Sequence, residues 1–167
     1  MHLDGARVFN AAVFRNLEPL DVVKDFDSVS FCLSKGLGAP IGSVLIGDKE
    51  FIETGRRWRK VLGGGMRQAG VIAAAGLYAL KNNINNLAYD HEKASELFRT
   101  LTARFGPSKI KLATNMLHLE INEDLYASLS AHLANGGVKV GRPRWVLHKD
   151  VSQAGVAKIK QLISSFK

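Results

Sequence analysis

The chain has 167 residues, of which 46% are apolar and 23% charged, so it can bury a hydrophobic core and is neither disordered nor fibrous. No apolar run approaches the roughly 18 to 20 residues that a membrane-spanning helix requires, and we expect no membrane partner. The net charge of +8 would suit nucleic acid, acidic membranes or phosphorylated ligands without choosing among them.

The numbers and positions of the cysteine and histidine residues argue against disulfide bonds and metal sites. Cys32 is the single cysteine, which excludes an internal disulfide framework and a zinc site built from several thiolates. Because Cys32 lies in an apolar run, we expect a small core residue rather than a nucleophile. The five histidines form no His-x-x-x-His pair, so no metal site is expected. The first residues resemble neither a secretory signal nor a transit peptide, and the expected compartment is the reducing cytoplasm.

Residues 1–83 alternate short apolar runs with helical stretches, which is typical of α/β units with a parallel sheet. The runs Val29–Leu33 and Val44–Ile46 are bounded by turn residues and predict two strands buried on both faces. Asp48 is placed to cap a helix that continues to about Leu62. We therefore assign residues 1–83 to one α/β domain.

Two stretches of this domain need separate interpretation. The basic run Arg56–Lys60 contains a tryptophan and could bind nucleic acid, but its helical setting favours a solvated helix face, and we expect no nucleic-acid partner. The triplet Gly63–Gly65 breaks the helix, and Ala69–Leu80 is apolar all round, which predicts a helix buried on every side. Because the domain has too few elements to cover its apolar parts, some apolar surface should remain exposed.

Residues 84–167 follow a linker near residues 82–86 and have the pattern of a small α+β domain, with helices on one face of a short sheet. The predicted strands are Ile110–Ala113, Met116–Ile121, Val138–Val140 and Trp145–His148. The predicted helices carry apolar residues at helical spacing from Ile84 to Phe105, from Leu125 to Leu133 and from Val156 to Phe166.

Lys35 and Asp4 are the first candidates for chemistry. Lys35 follows the run Val29–Leu33 and precedes glycines, which is the position at the carboxyl end of a buried strand where α/β folds bind ligands. Asp4 also precedes a glycine, and the 31 residues from Asp4 to Lys35 match one strand-helix-strand unit, which would bring both side chains to one sheet edge. An amine and a carboxylate suit pyridoxal phosphate, which uses a lysine imine and an acid beside its ring nitrogen. A surface lysine, and an Asp4 that caps a helix and pairs with Arg7, remain alternatives.

Two further groups of cations could bind anions. Gly63–Gly65 lies between Lys60 and Arg67 before a helix, and could cradle a phosphate with free backbone amides or be a helix-breaking loop with surface charges. Arg142 and Arg144 precede a predicted strand and could bind a carboxylate through paired hydrogen bonds, although exposed arginines are common there. The absence of a Walker or Gly-x-Gly-x-x-Gly spacing argues against a nucleoside triphosphate or dinucleotide site.

Four segments together resemble the low-specificity L-threonine aldolases in sequence, order and spacing. They are His2–Arg7, Ser34–Pro40, Gly63–Gly70 and Arg144–Val151. The resemblance covers essentially the whole chain, but only the carboxyl-terminal half of the family. It implies an α/β fold: the second half of the large domain of a fold type I pyridoxal phosphate enzyme, a mostly parallel sheet with helices, followed by the small α+β domain. It also implies cleavage of L-threonine or L-allo-threonine to glycine and acetaldehyde by a homodimer or homotetramer.

The resemblance assigns roles to individual residues. Lys35 matches the Schiff-base lysine, and Asp4 matches the partner of the pyridinium nitrogen. Arg7 matches an arginine near the cofactor and the substrate carboxylate, and Arg144 resembles the small-domain arginine that binds this carboxylate.

Other implied roles involve a neighbouring subunit or the first half of the family. Lys60 and Arg67 fall in a cofactor-binding segment that lies near a neighbouring active site in family oligomers. The first half of the family supplies ring stacking, much of the phosphate binding and the base for the β-hydroxyl, and here only His2 is placed to stack beside Asp4. The alternative function is therefore a non-catalytic fragment that associates with a full-length subunit.

Overall fold

The structure is a computed structural model that describes residues 1–167. The chain folds as two compact units, unit 1 (Met1–Leu87) and unit 2 (Ala88–Lys167). None of its helices combines the length and the apolar character that crossing a membrane requires.

Unit 1 is built on a three-stranded sheet in the order β1-β2-β3. Its strands are β1 (His2–Asp4), β2 (Ser28–Cys32) and β3 (Ser43–Ile46). β1 and β2 are parallel, with Asp4 opposite Ser30, whereas β3 runs antiparallel to β2. β3 departs from the expected parallel arrangement because only residues 33–42 connect it to β2, and a parallel crossover needs about a dozen residues or more.

The two strands predicted to be buried differ in their exposure. β2 lies in the middle of the sheet and is mostly buried, as predicted. β3 is an edge strand, and Leu45 and Ile46 are 41% and 51% exposed. The prediction that Val44–Ile46 is buried on both faces is therefore wrong, because nothing in unit 1 covers the outer side of this strand.

One face of this sheet packs against the apolar core of unit 1. Helices α1 (Val8–Arg15) and α2 (Pro19–Val23) supply side chains to this core. Phe31 of β2 contacts Phe9 of α1 edge to face, with ring centroids 5.1 Å apart. The other buried members are Val8, Leu33, Leu37, Ala39, Ala79 and Leu87.

Helix α3 (Lys49–Val61) begins where the sequence predicts, because the Asp48 carboxylate accepts a hydrogen bond from the Phe51 backbone N–H at 2.8 Å. α3 has no buried residue, and the whole run Arg56–Lys60 is exposed to solvent. The interpretation of this run as a solvated helix face agrees with the structure.

Helix α4 (Gly70–Asn82) is the helix that the sequence predicts to be buried on every side, and the structure shows most of it exposed. Val71 and Tyr78 are 83% and 65% exposed, and only Gly76 and Ala79 are buried. The prediction of a helix buried on every side is therefore wrong. α4 packs on the core of unit 1 along one narrow stripe, and its other apolar side chains form the exposed apolar surface that the sequence predicts.

Unit 2 is an antiparallel sheet with helices packed on one face. Its strands, in sheet order, are β4 (Ile110–Ala113), β5 (Met116–Leu119) and β6 (Arg144–Val146). Its helices are α5 (Leu87–Phe105), α6 (Glu123–Asn135) and α7 (Gln153–Ser165). This arrangement is the α+β layer that the sequence predicts.

Alternation along the strands separates two faces of the unit 2 sheet. Leu117 and Trp145 are paired across β5 and β6 and are buried under the helices. His118 and Arg144 are the next pair, and they lie on the opposite face of the sheet. The apolar face therefore forms the core, and the other face presents Arg144 to solvent.

The segment Val138–Val140 is not a strand, in contrast to the sequence prediction. The Val138 N–H donates to the Leu133 carbonyl at 2.8 Å, and the Gly137 N–H donates to Ala134. These bonds close the carboxyl end of α6, so the start of the segment continues a helix terminus and does not pair with a strand.

Leu129→Ala should lower the free energy of unfolding by about 2–5 kcal/mol, because Leu129 is fully buried and its truncation leaves a cavity. Leu125→Ala, one turn earlier on α6 at a half-buried position, is the matched control and should cost less. Urea unfolding followed by circular dichroism measures both. Equal losses for the two variants would contradict the packing described.

Candidate functional site

Asp4 and Lys35 lie at the same edge of the unit 1 sheet. Asp4 is the last residue of β1, and Lys35 follows the end of β2 by three residues. Because β1 and β2 are parallel neighbours, their carboxyl ends meet at one edge, which is where open α/β sheets bind ligands. Both side chains are exposed and accessible to a small molecule.

A polar face of the sheet adjoins this edge. The His2 ring contacts two hydroxyls, with Nδ1 2.9 Å from Ser28 Oγ and Nε2 3.3 Å from Ser30 Oγ. Asp4 lies two residues after His2 and opposite Ser30, so these four side chains share one face. His2 therefore lies on the Asp4 side, as the alternation along the strand predicts.

Cys32 continues the same polar face. Its Sγ accepts a hydrogen bond from Ser43 Oγ at 3.6 Å, and the residue is half-buried. The interpretation of Cys32 as a core residue is wrong, because the alternation along β2 turns Phe31, and not Cys32, toward the core of unit 1.

The loop that carries Lys35 is fixed at several points. The Leu33 N–H donates to the Gly42 carbonyl at 2.9 Å, and the Ala39 N–H donates back to Leu33 at 3.0 Å. Buried Leu37 anchors the middle of the loop. Lys35 is thus an exposed side chain on an ordered backbone.

Gly36 has a packing role that the sequence alone does not reveal. A Cβ at this position would lie 2.8 Å from Leu87 Cδ2 and 3.3 Å from Asn10 Oδ1. The missing side chain therefore allows the Lys35 loop to pack on Asn10 of α1 and on Leu87, the last residue of unit 1.

Asp4 does not cap the helix that follows it. Its Oδ1 accepts a hydrogen bond from the Ala6 N–H at 3.2 Å, whereas Arg7 occupies the capping position of α1 without a side-chain capping bond. The alternative of Asp4 as a helix cap is therefore wrong. Arg7 is half-buried and lies three residues beyond the strand end that carries Asp4.

The backbone amides of the glycine triplet form the hydrogen bonds that end α3. The Gly63 N–H donates to the Lys60 carbonyl at 3.2 Å, and the Gly64 N–H donates to Arg59 at 2.7 Å. The Gly65 N–H donates to Gly63 at 3.1 Å. Since all three amides are occupied, the interpretation of the triplet as a cradle of free amides is wrong.

Lys60 and Arg67 remain as candidate anion ligands in this part of unit 1. Lys60 is in the last turn of α3, and a Cβ at Gly65 would lie 2.7 Å from its Nζ, so the ammonium group lies against the glycine loop. Arg67 is exposed in the segment that precedes α4. Both cations are accessible to an anion from solvent.

Arg144 lies in unit 2, at the start of β6 on the open face of the sheet. Its Nη2 donates a weak hydrogen bond to the Met116 sulfur at 3.3 Å. The side chain is exposed, and so is that of Arg142, which lies in the turn before the strand. The guanidinium group can therefore donate hydrogen bonds to a carboxylate that arrives from solvent.

Comparison with known proteins identifies the family of the chain. The beta-eliminating lyase family model matches residues 1–123, which is most of the chain. The chain belongs to the beta-eliminating lyase family. The low specificity L-threonine aldolase of Escherichia coli K12 is 41% identical over an alignment of 162 positions that covers 95% of this chain and 48% of that protein. Low-specificity L-threonine aldolase 1 of Arabidopsis thaliana is 40% identical over an alignment of 167 positions that covers 93% of this chain and 46% of that protein.

Solved structures show the same fold. A crystal structure from Listeria monocytogenes, provisionally named as that of an L-allo-threonine aldolase, superposes with a TM-score of 0.80 at 20% identity. The match covers 99% of this chain and 52% of that one, and it confirms the predicted fold class. The chain spans about half the length of the curated relatives it matches.

The residues of this beta-eliminating lyase family member fit pyridoxal phosphate, on which threonine aldolases and beta-eliminating lyases depend. The fit rests on the donor set at one sheet edge, where an accessible amine, Lys35, and an accessible carboxylate, Asp4, follow adjacent parallel strands. The group carries a carbonyl carbon that reacts with an amine and a ring nitrogen that pairs with a carboxylate.

Asn83 supports the site, and sequence analysis missed it. Its Nδ2 donates to the Leu37 carbonyl at 2.6 Å and ties the Lys35 loop to the end of α4. In the sequence Asn83 stands in a polar stretch that resembles a linker, and no spacing rule connects it to a loop 46 residues earlier. Only the three-dimensional contact identifies its role.

Asn83→Ala should loosen the Lys35 loop, because it leaves the half-buried Leu37 carbonyl without its donor at a cost of about 1 kcal/mol. Hydrogen exchange of the Gly38 and Ala39 amides should become faster. Asn82→Ala is the matched control, since the Asn82 side chain bonds only within α4, to Tyr78. Unchanged exchange in Asn83→Ala, or an equal change in both variants, would contradict this role.

Proposed function

We propose that the chain is the carboxyl-terminal, lysine-bearing part of a pyridoxal phosphate-dependent aldolase that cleaves L-threonine and L-allo-threonine to glycine and acetaldehyde. The observation that carries the proposal is the placement of Asp4 and Lys35 at the carboxyl ends of adjacent parallel strands. The similarity to low-specificity threonine aldolases over 95% of the chain supports the substrate.

Lys35 and Asp4 would hold the cofactor from opposite ends of its ring. Lys35 is the amine that would attach to the carbonyl carbon, and the substrate amine would displace it. The Asp4 carboxylate would accept a hydrogen bond from the ring nitrogen and keep the proton on that nitrogen. Bound pyridoxal phosphate would accept the electron pair released when the Cα–Cβ bond of the substrate breaks.

Arg7 and Arg144 are proposed to bind the substrate carboxylate. A guanidinium group offers two parallel N–H donors to a carboxylate, which fixes the orientation of the amino acid as well as its position. This orientation decides which bond of the substrate is aligned for cleavage. Arg7 lies three residues after the end of β1 and is near enough in sequence to Asp4 to contribute to cofactor binding as well.

Lys60 and Arg67 are proposed to bind cofactor at an interface between subunits of a homo-oligomer. Both cations are exposed, and apolar side chains near them are exposed as well. Val61 and Leu62 are 67% and 81% exposed, and Met66 is 67% exposed. Apolar surface of this kind around two cations is typical of a surface that another polypeptide covers.

The alternative function is a non-catalytic fragment that associates with a full-length subunit. The exposed apolar surface of unit 1 favours this alternative as much as it favours an oligomer. The two functions differ in chemistry, because an aldolase must release acetaldehyde from threonine, whereas a fragment can bind pyridoxal phosphate without any cleavage.

Lys35→Ala should abolish the stoichiometric trapping of pyridoxal phosphate by borohydride, because Lys35 is the amine proposed to attach the cofactor. Peptide mass mapping locates the trapped group, and an acetaldehyde assay with L-threonine is run on the same samples. Lys49→Ala removes another exposed lysine, in α3, and should trap as the wild type does.

The result separates the candidate functions. Trapping on Lys35 with acetaldehyde release supports the aldolase. Trapping on Lys35 without any release supports the non-catalytic fragment, and stoichiometric trapping on a different lysine would overturn the assignment of Lys35.

Arg144→Lys should raise the KM for L-threonine by about tenfold or more while the affinity for pyridoxal phosphate stays unchanged. A lysine keeps the charge but cannot reproduce the paired hydrogen bonds to a carboxylate. Steady-state kinetics and a cofactor titration measure the two effects. A loss of cofactor affinity at constant KM would assign Arg144 to the phosphate instead.

A further inference from the structure

Arg144 lies in β6, a strand of only three residues. The few ladder hydrogen bonds of so short a strand do not by themselves fix the backbone around Arg144. β6 pairs with β5 on one side and is the edge of the sheet on the other. Three polar side chains from other elements of unit 2 donate hydrogen bonds to backbone carbonyls of the segment 141–151, which contains β6. We call this stretch the Arg144 segment.

Tyr126 of α6 holds the start of the Arg144 segment. Its hydroxyl lies 2.7 Å from the carbonyl oxygens of both Gly141 and Arg142. The same oxygen accepts a hydrogen bond from Trp145 Nε1 at 3.0 Å. Burial raises the pKa of the Tyr126 phenol, so the hydroxyl stays protonated and remains a donor.

Asn115 holds the end of the strand. Its Nδ2 donates to the Leu147 carbonyl at 2.7 Å, and its own backbone carbonyl accepts from the Leu147 N–H at 2.9 Å. Asn115 is 1% exposed, so this pair of bonds is shielded from water. Both backbone groups of Leu147 are therefore used by one residue.

Lys93 of α5 holds the turn after the strand. Its ammonium group lies 2.7 Å from Asp90 Oδ1 and donates to the carbonyls of His148 and Val151, each at 3.0 Å. The three partners account for all three ammonium protons. Lys93 and Asp90 are both buried, so this is a charged contact inside unit 2.

A buried ion pair is a weak source of stability. The cost of removing two charges from water offsets most of their attraction, and apolar residues of similar volume are often as stabilising. What an apolar residue cannot do is fix two carbonyl oxygens in space. The pair of Lys93 and Asp90 is therefore better explained by the backbone geometry it imposes than by stability.

We propose that Lys93, oriented by Asp90, is a positioning residue that holds the Arg144 segment in the geometry in which Arg144 binds a carboxylate. The proposal rests on the proposed function in one respect, the assignment of the substrate carboxylate to Arg144. Tyr126 and Asn115 fix the first part of the segment, and Lys93 fixes its last part. Without Lys93 the carbonyls of His148 and Val151 lose the ammonium group that joins them to α5.

The test uses a charge-free double variant, Asp90→Asn with Lys93→Met, so that neither partner is left as a buried unpaired charge. Its matched control is Glu96→Gln with Lys160→Met, which removes the other ion pair of α5, where Lys160 Nζ lies 2.8 Å from Glu96 Oε2. The control pair forms no hydrogen bond with residues 141–151, and the other partner of Glu96 is Gln153 Nε2 at 2.7 Å, beyond the end of the Arg144 segment. The control therefore reports the loss of an ion pair on the same helix without the positioning contact.

The first readout is hydrogen exchange of the full chain. The Leu147 and Val151 amides should exchange about tenfold faster or more in the Asp90/Lys93 variant, while the amides of α6 and of β4 keep their protection. The control variant should leave all these amides unchanged. Unchanged exchange in the Arg144 segment, or faster exchange throughout unit 2, would overturn the proposal.

The second readout is kinetic. In the Asp90/Lys93 variant the KM for L-threonine should rise about tenfold with kcat within about twofold of the wild type, and the variant should add little further increase when Arg144→Lys is already present. An unchanged KM, or an increase that is fully additive with Arg144→Lys, would show that Lys93 does not act through Arg144.

The two readouts separate the failure of this proposal from the failure of the proposed function. If the wild type releases no acetaldehyde from L-threonine, the proposed aldolase activity of this chain fails. Hydrogen exchange then decides alone whether Lys93 positions the Arg144 segment, because that measurement needs neither cofactor nor turnover.

Discussion

The parallel pairing of β1 with β2 is the constraint on which the candidate site depends. It sets Asp4 opposite Ser30 and brings the two strand ends to one edge. The register has its own supports: the Gly5 N–H donates to the Ser30 carbonyl at 2.8 Å, and a Cβ at Gly5 would lie 3.0 Å from that oxygen. A slip of one residue would turn the Asp4 carboxylate to the apolar face that packs on α1.

The two units differ in how completely they bury their apolar residues. Unit 2 has a continuous core under one sheet face, and Tyr89 is its single large apolar residue with high exposure. The other exposed large apolar side chains all belong to unit 1, where they lie mainly on and around α3 and α4. Unit 2 therefore buries almost all of its large apolar side chains within itself. Unit 1 exposes apolar surface, and covering this surface with further polypeptide would stabilise the unit.

Local patterns predicted most of the elements and the edge that carries Asp4 and Lys35. They failed where burial depends on neighbours: β3 and α4 have the composition of buried elements, yet nothing in unit 1 covers them. Local patterns also failed to predict which partners backbone groups bind. The amides of the glycine triplet could have bound a phosphate, but they form the hydrogen bonds that end α3. The roles of Asn83 and Lys93 depend on contacts across 46 and 55 or more residues, which no spacing rule encodes.

The antiparallel hairpin of β2 and β3 also has a consequence for the order of folding. Its loop spans residues 33–42, whereas the connection from β1 to β2 spans residues 5–27. Closing the longer connection costs about 0.7 kcal/mol more in chain entropy, so we expect the hairpin to form before β1 joins the sheet. The surroundings of Lys35 therefore take shape early as a local structure. Asp4 joins them when β1 adds to the free edge of β2, so Asp4 and Lys35 share one sheet edge only after this later step.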